Sequence, residues 1–267
     1  DSAGGDGRPP LPREEPAPGA SGALRFARYA YPPNELGYCG PDASRQVLEQ
    51  VAAGVDDGDL RRLLAGFEGA WPYLQLIAAA NAVADPLDAR VVEAYWVGND
   101  LLGRVGHRLM GDSLEARFRD RTGRSWNRLV DAVPLGAVPH HSFHVFGVYP
   151  WLGLLREGWT VEPLRVLDRC RIRWGRVLGV HPGEVVVRSR PLEWNGRALT
   201  FGAPREERAL TGTDSLALTG PLQPGDWCAL HWDWVCERLE PRQLAALRSV
   251  TLGQLAVVNA LPVPAPA

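Results

Sequence analysis

Two stretches of sequence, Cys170-Arg-Ile-Arg-Trp-Gly-Arg-Val177 and Gly225-Asp-Trp-Cys-Ala-Leu-His-Trp-Asp-Trp-Val-Cys-Glu-Arg-Leu-Glu240, decide the fold of this chain. The first begins a β-rich segment and the second closes it. Between them, the pair Asn195-Gly196 supplies the positive φ angles that a tight hairpin needs. Short strands separated by turn residues predict a small β-barrel over residues 166–240, and five such strands favour an OB-like topology.

The preceding segment, residues 24–165, has the pattern of a helical domain. Apolar residues recur every three or four positions on both sides of Gly54 to Gly58, which predicts two amphipathic helices, and Pro72 and Pro86 are placed to begin two more. Residues 1–23 are rich in proline and glycine and predict a disordered tail. A C-terminal helix and a Pro-rich tail are expected over 241–267. The predicted fold class is therefore α+β.

Composition excludes several classes of function. A chain of 267 residues is long enough for two modest domains, and its formal net charge of −2 creates no field that would attract nucleic acid or an anionic membrane. The sequence contains no run of about 20 apolar residues, so we expect no membrane span. Its four cysteines form no Cys-x-x-Cys pair and are too sparse for a secreted disulfide scaffold, which favours a cytoplasmic location.

The order of residues in the β-rich segment resembles the HypC/HupF family of [NiFe]-hydrogenase assembly chaperones. In that family a small barrel begins with a cysteine, a hydrophobic strand and a glycine, matched here by Cys170 and Gly175. It ends with a Gly-Asp-aromatic turn, an apolar strand, a histidine, a second apolar strand and a short acidic helix. Gly225-Asp226-Trp227, His231 and the segment Glu237 to Glu240 follow that order. The resemblance implies that Cys170 and His231 form a functional pair.

The same resemblance implies a role in hydrogenase maturation. Cys170 and His231 would hold an iron fragment that carries cyanide and carbon monoxide ligands, with a HypD-like protein as donor and the hydrogenase large-subunit precursor as partner. The stretches Tyr31–Pro41 and Pro139–Trp151 are also similar to an uncharacterised actinobacterial family whose genes tend to lie beside [NiFe]-hydrogenase genes. We therefore expect a non-enzymatic accessory protein.

The chemistry of the pair can also be argued from the residues alone. A thiolate with an imidazole suits iron, copper or zinc, and two ligands leave a site open for exchange. On an alternating strand His231 shares a face with Asp233, which could orient the imidazole. Cys228 and Cys236 are expected to point the other way, which makes them poor co-ligands.

A second possible metal site consists of Glu93, His140 and His144. If Pro139 begins a helix, the two histidines lie one turn apart on one face, and Glu93 is an isolated acid in an apolar helix. Two histidines and a carboxylate are the ligands of open iron sites. The alternative is that Glu93 meets an arginine and the histidines are helix-end donors. Cys39, just before a predicted helix, is either a low-pKa thiol or a packing residue.

Three functions remain open from the sequence. The first is the iron-fragment carrier. The second is a scaffold that binds no metal and contacts hydrogenase subunits through Trp232, Asp233 and Trp234. The third is a metal-dependent enzyme that uses Glu93, His140 and His144.

Overall fold

The computed structural model describes residues 21–122, 126–213 and 216–261, and it has helices first and a multi-strand sheet near the C-terminus, as the α+β prediction requires. Short helical turns at Asp100–Arg104 (3-10) and His144–Val148 (π) accompany the α-helices. The α-helices are α1 (Gly22–Glu35), α2 (Ser44–Ala53), α3 (Gly58–Ala65), α4 (Trp71–Ala80), α5 (Ala89–Trp96), α6 (His107–Thr122), α7 (Trp126–Ala132), α8 (His141–Phe143), α9 (Trp151–Arg156), α10 (Val161–Cys170) and α11 (Pro241–Ala260).

Five strands pair in the order β1-β2-β5-β9-β8, and β8 pairs in turn with β1, so each of the five has two neighbours. The contact between β5 and β9 is the narrowest and is a single parallel pair, Leu210 with Trp234. The strands are β1 (Arg173–His181), β2 (Glu184–Ser189), β3 (Leu192–Trp194), β4 (Leu199–Phe201), β5 (Arg205–Leu210), β6 (Gly212–Thr213), β7 (Leu216–Ala217), β8 (Trp227–His231) and β9 (Trp234–Arg238).

The hairpin predicted at Asn195-Gly196 is present and joins β3 to β4. Its loop has four residues, 195–198. Within the loop, the Asn195 side chain accepts hydrogen bonds from the backbone N–H groups of Arg197 and Ala198. Gly196 takes the positive φ of 87° that the turn requires. The turn residues were therefore identified correctly from sequence, and the two-residue geometry was not.

Several boundaries differ from the sequence prediction. Of the predicted disordered tail, residues 1–20 lie outside the described residues, while Gly22 and Ala23 belong to α1, where the Ser21 side chain caps the helix. Pro32 and Pro33 lie in the last turn of α1. The predicted C-terminal helix is present as α11, and residues 262–267 of the predicted Pro-rich tail lie outside the described residues.

Packing joins the helices to the sheet. One large apolar core includes residues of the helices together with Trp232, Trp234 and Cys236 from the β8–β9 hairpin. A smaller core lies on the other face of the strands and contains Val177, Val187, Cys228, Leu230 and Val235 among others. Helix α1 contacts β8 and β9 directly, so the helical segment and the sheet share a buried interface. No helix in the described parts of the chain is long and apolar enough to cross a membrane.

A buried network of charges lies at this interface. Glu93 on α5 accepts hydrogen bonds from Arg25 on α1 and from Arg242 and Gln243 on α11. Arg25 also donates to Glu237 on β9. Side chains of α1, α5, β9 and α11 are thereby joined at one place, where the arginines compensate the buried charge of Glu93.

Candidate metal centre

Three buried side chains from distant parts of the sequence meet at the boundary between the helices and the sheet. His141 is the first residue of α8, Cys170 the last residue of α10, and His231 the last residue of β8. One ligand atom of each residue lies within 4.8 Å of those of the other two. Among the described residues, no other group of three or more histidine, cysteine or acidic side chains is close enough together to hold a metal ion. The structure therefore brings the predicted pair together and adds His141.

The local structure around Cys170 differs from the prediction. Cys170 was expected to open the first strand, but it ends α10, and β1 begins three residues later at Arg173. Arg171 between them is extended and almost fully buried. The thiol consequently lies on the helical side of the sheet, where His141 can reach it.

One hydrogen bond ties the backbones of two of the donors together. The N–H of Trp232, next to His231, donates to the carbonyl of Arg169, next to Cys170, over 2.8 Å. Trp232 has a positive φ of 52°, which is strained for a bulky residue. The Arg173 guanidinium donates to the Trp232 carbonyl, and the Trp232 ring stacks on Tyr38 with centroids 4.5 Å apart. This strained turn is held by several contacts, and it fixes His231 beside Cys170.

Hydrogen bonds also determine which nitrogen of each imidazole carries the lone pair. His231 donates its Nδ1–H to the carbonyl of Tyr29 over 2.6 Å, so Nε2 carries the lone pair, and this buried Nε2 has no hydrogen-bond partner. His141 donates Nε2–H to the carbonyl of Cys170 over 2.8 Å, so its lone pair is on Nδ1. This Nδ1 accepts a hydrogen bond from the Tyr95 hydroxyl over 3.3 Å, which a metal ion bound at Nδ1 would displace. A backbone carbonyl behind each imidazole is the arrangement that orients histidine ligands at metal sites.

The three donor atoms are close enough to bind one metal ion after a small inward movement. Bond lengths of about 2.3 Å to sulfur and about 2.0–2.1 Å to nitrogen, at tetrahedral angles, place the donor atoms about 3.3–3.6 Å apart. Since the donor atoms of the three residues already lie within 4.8 Å of one another, binding requires no pair to close by more than about 1.5 Å. The thiol and two imidazoles suit iron, copper or zinc and leave a fourth position without a protein donor.

Burial sets the protonation states that binding requires. It lowers the pKa of His141 to about 4 and that of His231 well below its usual range, so both imidazoles are neutral near pH 7. Burial raises the pKa of the Cys170 thiol far above its usual range. A bound metal ion would therefore displace one proton, from Cys170, and none from the histidines.

The three donors face a small apolar cavity of about 140 Å³. Such a volume holds a metal ion with a few small ligands and is too small for a drug-sized substrate, which needs at least about 300 Å³. A larger cleft of about 1060 Å³ lies next to it and opens to solvent. Beside the three donors, the cavity is lined mainly by aromatic and small side chains, among them Phe67, Ala70, Tyr95, Trp96, Trp151 and Val166.

The second predicted metal site does not form. Both carboxylate oxygens of Glu93 are occupied by Arg25, Arg242 and Gln243, which confirms the alternative interpretation of an ion-paired acid. His140 precedes α8, and its Nδ1 accepts the Ser142 N–H as a helix cap. His144 begins a π-helical turn, so the two histidines do not share the α-helical face that their spacing predicted.

The residues around His231 also differ from their predicted roles. Trp232 and Trp234 are buried, at 2% and 4% exposure, so their rings pack inside the fold and face no partner. The side chain of Asp233 is exposed and pairs with Arg169, so the Tyr29 carbonyl, and not Asp233, orients the imidazole. Cys228 points away from His231 as predicted. Cys236 packs with the helices on the side of His231, because it lies on the next strand, but it is outside the metal cluster.

Acid should unfold this protein early, because all four histidines of the helix–sheet boundary are buried and uncharged. Each has a folded-state pKa below the usual 6.5, and the unfolded chain therefore binds more protons below about pH 6.5. Each histidine then removes about 1.4 kcal/mol of stability per pH unit, or roughly 5 kcal/mol for four. The four are His140 (pKa about 3), His141 (about 4), His144 and His231.

We expect loss of the near-ultraviolet circular dichroism signal before pH falls to about 4.5, given a total stability of about 5–15 kcal/mol. Carboxylate protonation alone would unfold the protein only below that pH. A near-ultraviolet signal that persists down to about pH 4 would contradict this prediction.

A family model described as a family of unknown function (DUF6390) matches residues 18–264. This range contains the helices, the sheet and all three donors. The chain matches no curated protein and no solved structure. Its function therefore has to be argued from the site.

Proposed function

The chain belongs to DUF6390, a family without a known function, and we propose that this member is a metal-binding accessory protein of [NiFe]-hydrogenase maturation. It would hold an iron fragment at His141, Cys170 and His231 and deliver it to the large-subunit precursor. The observation that carries the proposal is the convergence of two imidazoles and an ionisable thiol on one cavity.

The number of donors supports a carrier over a structural metal site. Structural zinc sites have four protein ligands, whereas three ligands leave one position for an exchangeable group. A carrier must also release its cargo, and each added 1.4 kcal/mol of affinity disfavours release about tenfold. Three donors in a cavity that adjoins an open cleft meet both requirements.

The link to hydrogenases rests on the sequence resemblance. The pair that the HypC/HupF pattern implies, Cys170 and His231, lies within a single cluster. The five-stranded sheet that contains His231 has closed strand pairing, and we propose that it corresponds to the OB-like barrel of that family. His141 is the contribution of the helical segment and has no counterpart in the HypC pattern.

The test is infrared spectroscopy of the protein purified without oxygen after co-expression with hydrogenase maturation proteins, including a HypD-like protein. Wild type should show cyanide and carbonyl stretching bands, and Cys170→Ala should lose them. Cys228→Ala is the matched control, because it removes a buried thiol from the other face of the sheet.

Absence of bands from wild type, while the large subunit still co-purifies, would favour the scaffold. Bands of equal intensity in Cys170→Ala would show that any fragment is bound elsewhere. An enzyme built on Glu93, His140 and His144 has lost its structural support, since these side chains are engaged separately.

A further inference from the structure

The inner cavity and the outer cleft share part of their lining, and we call this shared boundary the throat. Five residues line both spaces and therefore define it. They are Tyr38, Cys39, Gly69, His144 and Tyr149. Anything that moves from the cleft to the inner donors by this route must pass between these residues.

Two of the five throat residues have donor atoms that suit a thiophilic metal, Cys39 and His144. His144 is 4% exposed, and its buried Nε2 has no hydrogen-bond partner. Its other nitrogen, Nδ1, lies 3.4 Å from the Tyr73 hydroxyl, which can accept Nδ1–H and leave the lone pair on Nε2. A buried polar nitrogen without a partner is costly in a structural role and needs an explanation.

Cys39, the second donor that lines the throat, lies in a loop held by hydrogen bonds. The Asn34 side chain donates to the carbonyls of Cys39 and Pro41, over 2.8 and 2.7 Å. Burial raises the pKa of the Cys39 thiol to about 12, so the thiol is protonated and stays inert until an ion displaces its proton. Of the two alternatives that the sequence left open for Cys39, the thiol with a lowered pKa at a helix start is not supported, because desolvation dominates here.

The backbone beside His144 leaves room for a ligand. A Cβ atom at Gly69 would lie 3.3 Å from His144 Nε2, closer than most side chains tolerate. Glycine at this position therefore keeps the space next to the unpartnered nitrogen open.

We propose that Cys39 and His144 form a transient metal-binding site in the throat, which transfers a thiophilic metal from the outer cleft to His141, Cys170 and His231. The inference rests on the proposed function in that the inner cluster must bind metal. Transfer is ligand exchange without a change of oxidation state. Cys39 loses a proton to solvent when the ion binds, and regains one as the ion moves on and Cys170 loses its proton.

Such a site has a specific kinetic consequence. A relay on the path between two states lowers the barrier equally in both directions, so it accelerates uptake and release without changing the equilibrium affinity. Loss of one metal–ligand interaction on the path should slow both rates by about tenfold or more.

The experiment uses Co²⁺ alone, whose visible and thiolate charge-transfer bands report binding. Stopped-flow mixing of the full chain with Co²⁺ gives the uptake rate, and mixing of the loaded protein with excess chelator gives the release rate. The variants are Cys39→Ser and His144→Gln. The controls are Cys236→Ala, at a buried thiol that lines neither space, and His107→Gln, at an exposed histidine.

Support would be a fall in both rates of about tenfold in each variant, with affinity within twofold of wild type and unchanged rates in the controls. Unchanged rates in both variants would overturn the throat site and leave the proposed function intact. Weaker affinity with an unchanged uptake rate would overturn it as well, since Cys39 or His144 would then belong to the final site. Failure of the wild type to bind Co²⁺ would overturn the throat site and count against a metal-binding function.

Discussion

Replacing His141 by glutamine should weaken binding of Co²⁺ or Zn²⁺ by about a hundredfold to a thousandfold. Sites with four ligands bind zinc with apparent free energies of about 10–16 kcal/mol, so one donor accounts for about 3–4 kcal/mol, or two to three powers of ten. The measurement is a competition titration against a chromophoric chelator at fixed pH. Cys170→Ser and His231→Gln should weaken binding to a similar extent.

Two control variants make this result specific. His107→Gln removes an exposed histidine, and Cys236→Ala removes a buried thiol on the same side of the sheet but outside the cluster. Neither should change the affinity by more than about twofold, since neither removes a donor. Wild-type affinity in His141→Gln would confine the site to Cys170 and His231.

Replacing Glu93 by glutamine should lower the free energy of unfolding by about 3 kcal/mol. The change keeps the shape of the side chain and removes the charge that faces Arg25 and Arg242. Breaking a buried ion pair by removing one partner costs about 3–5 kcal/mol. We expect the low end of that range, because Arg25 keeps Glu237 as a second partner and the side chain of Arg242 is 73% exposed. Urea denaturation followed by tryptophan fluorescence gives the value.

Glu206→Gln is the comparison, because Glu206 pairs with Arg188 with both side chains more than half exposed. This change should alter stability by less than about 1 kcal/mol. Equal and small effects of the two changes would mean that the Glu93 network contributes nothing beyond its packing.

Local signals predicted much of this fold. Glycine and proline positions located the break between α2 and α3 and the start of α4, because these residues act on the backbone next to them. Alternating apolar residues and Asn195-Gly196 identified the strands and the β3–β4 hairpin for the same reason. Cys170 and His231 were found because their order in the sequence follows a family pattern.

Contacts across the sequence were harder to predict. The histidine-rich stretch drew attention to His140 and His144 by their spacing of four, but the helix begins only at His141. That one-residue boundary decides which imidazole meets Cys170, and helix ends are the least certain part of a sequence-based prediction. The burial of Trp232 and Trp234 depends on α1 and the Tyr38 loop packing over them, which no local pattern reveals.

The hydrogen bond from Trp232 to Arg169 joins the turn after β8 to helix α10. His141 and Cys170 lie on helices α8 and α10, and His231 lies on strand β8. An ion bound to all three would therefore be a reversible cross-link between the helices and the sheet. An ion that binds only while His231 lies beside His141 and Cys170 stabilises this arrangement by an amount that grows with the ion concentration relative to its dissociation constant. Under the proposed function, the loaded chain would be stiffer than the empty one, and a receiving protein that binds only this arrangement would select loaded carriers without contacting the metal.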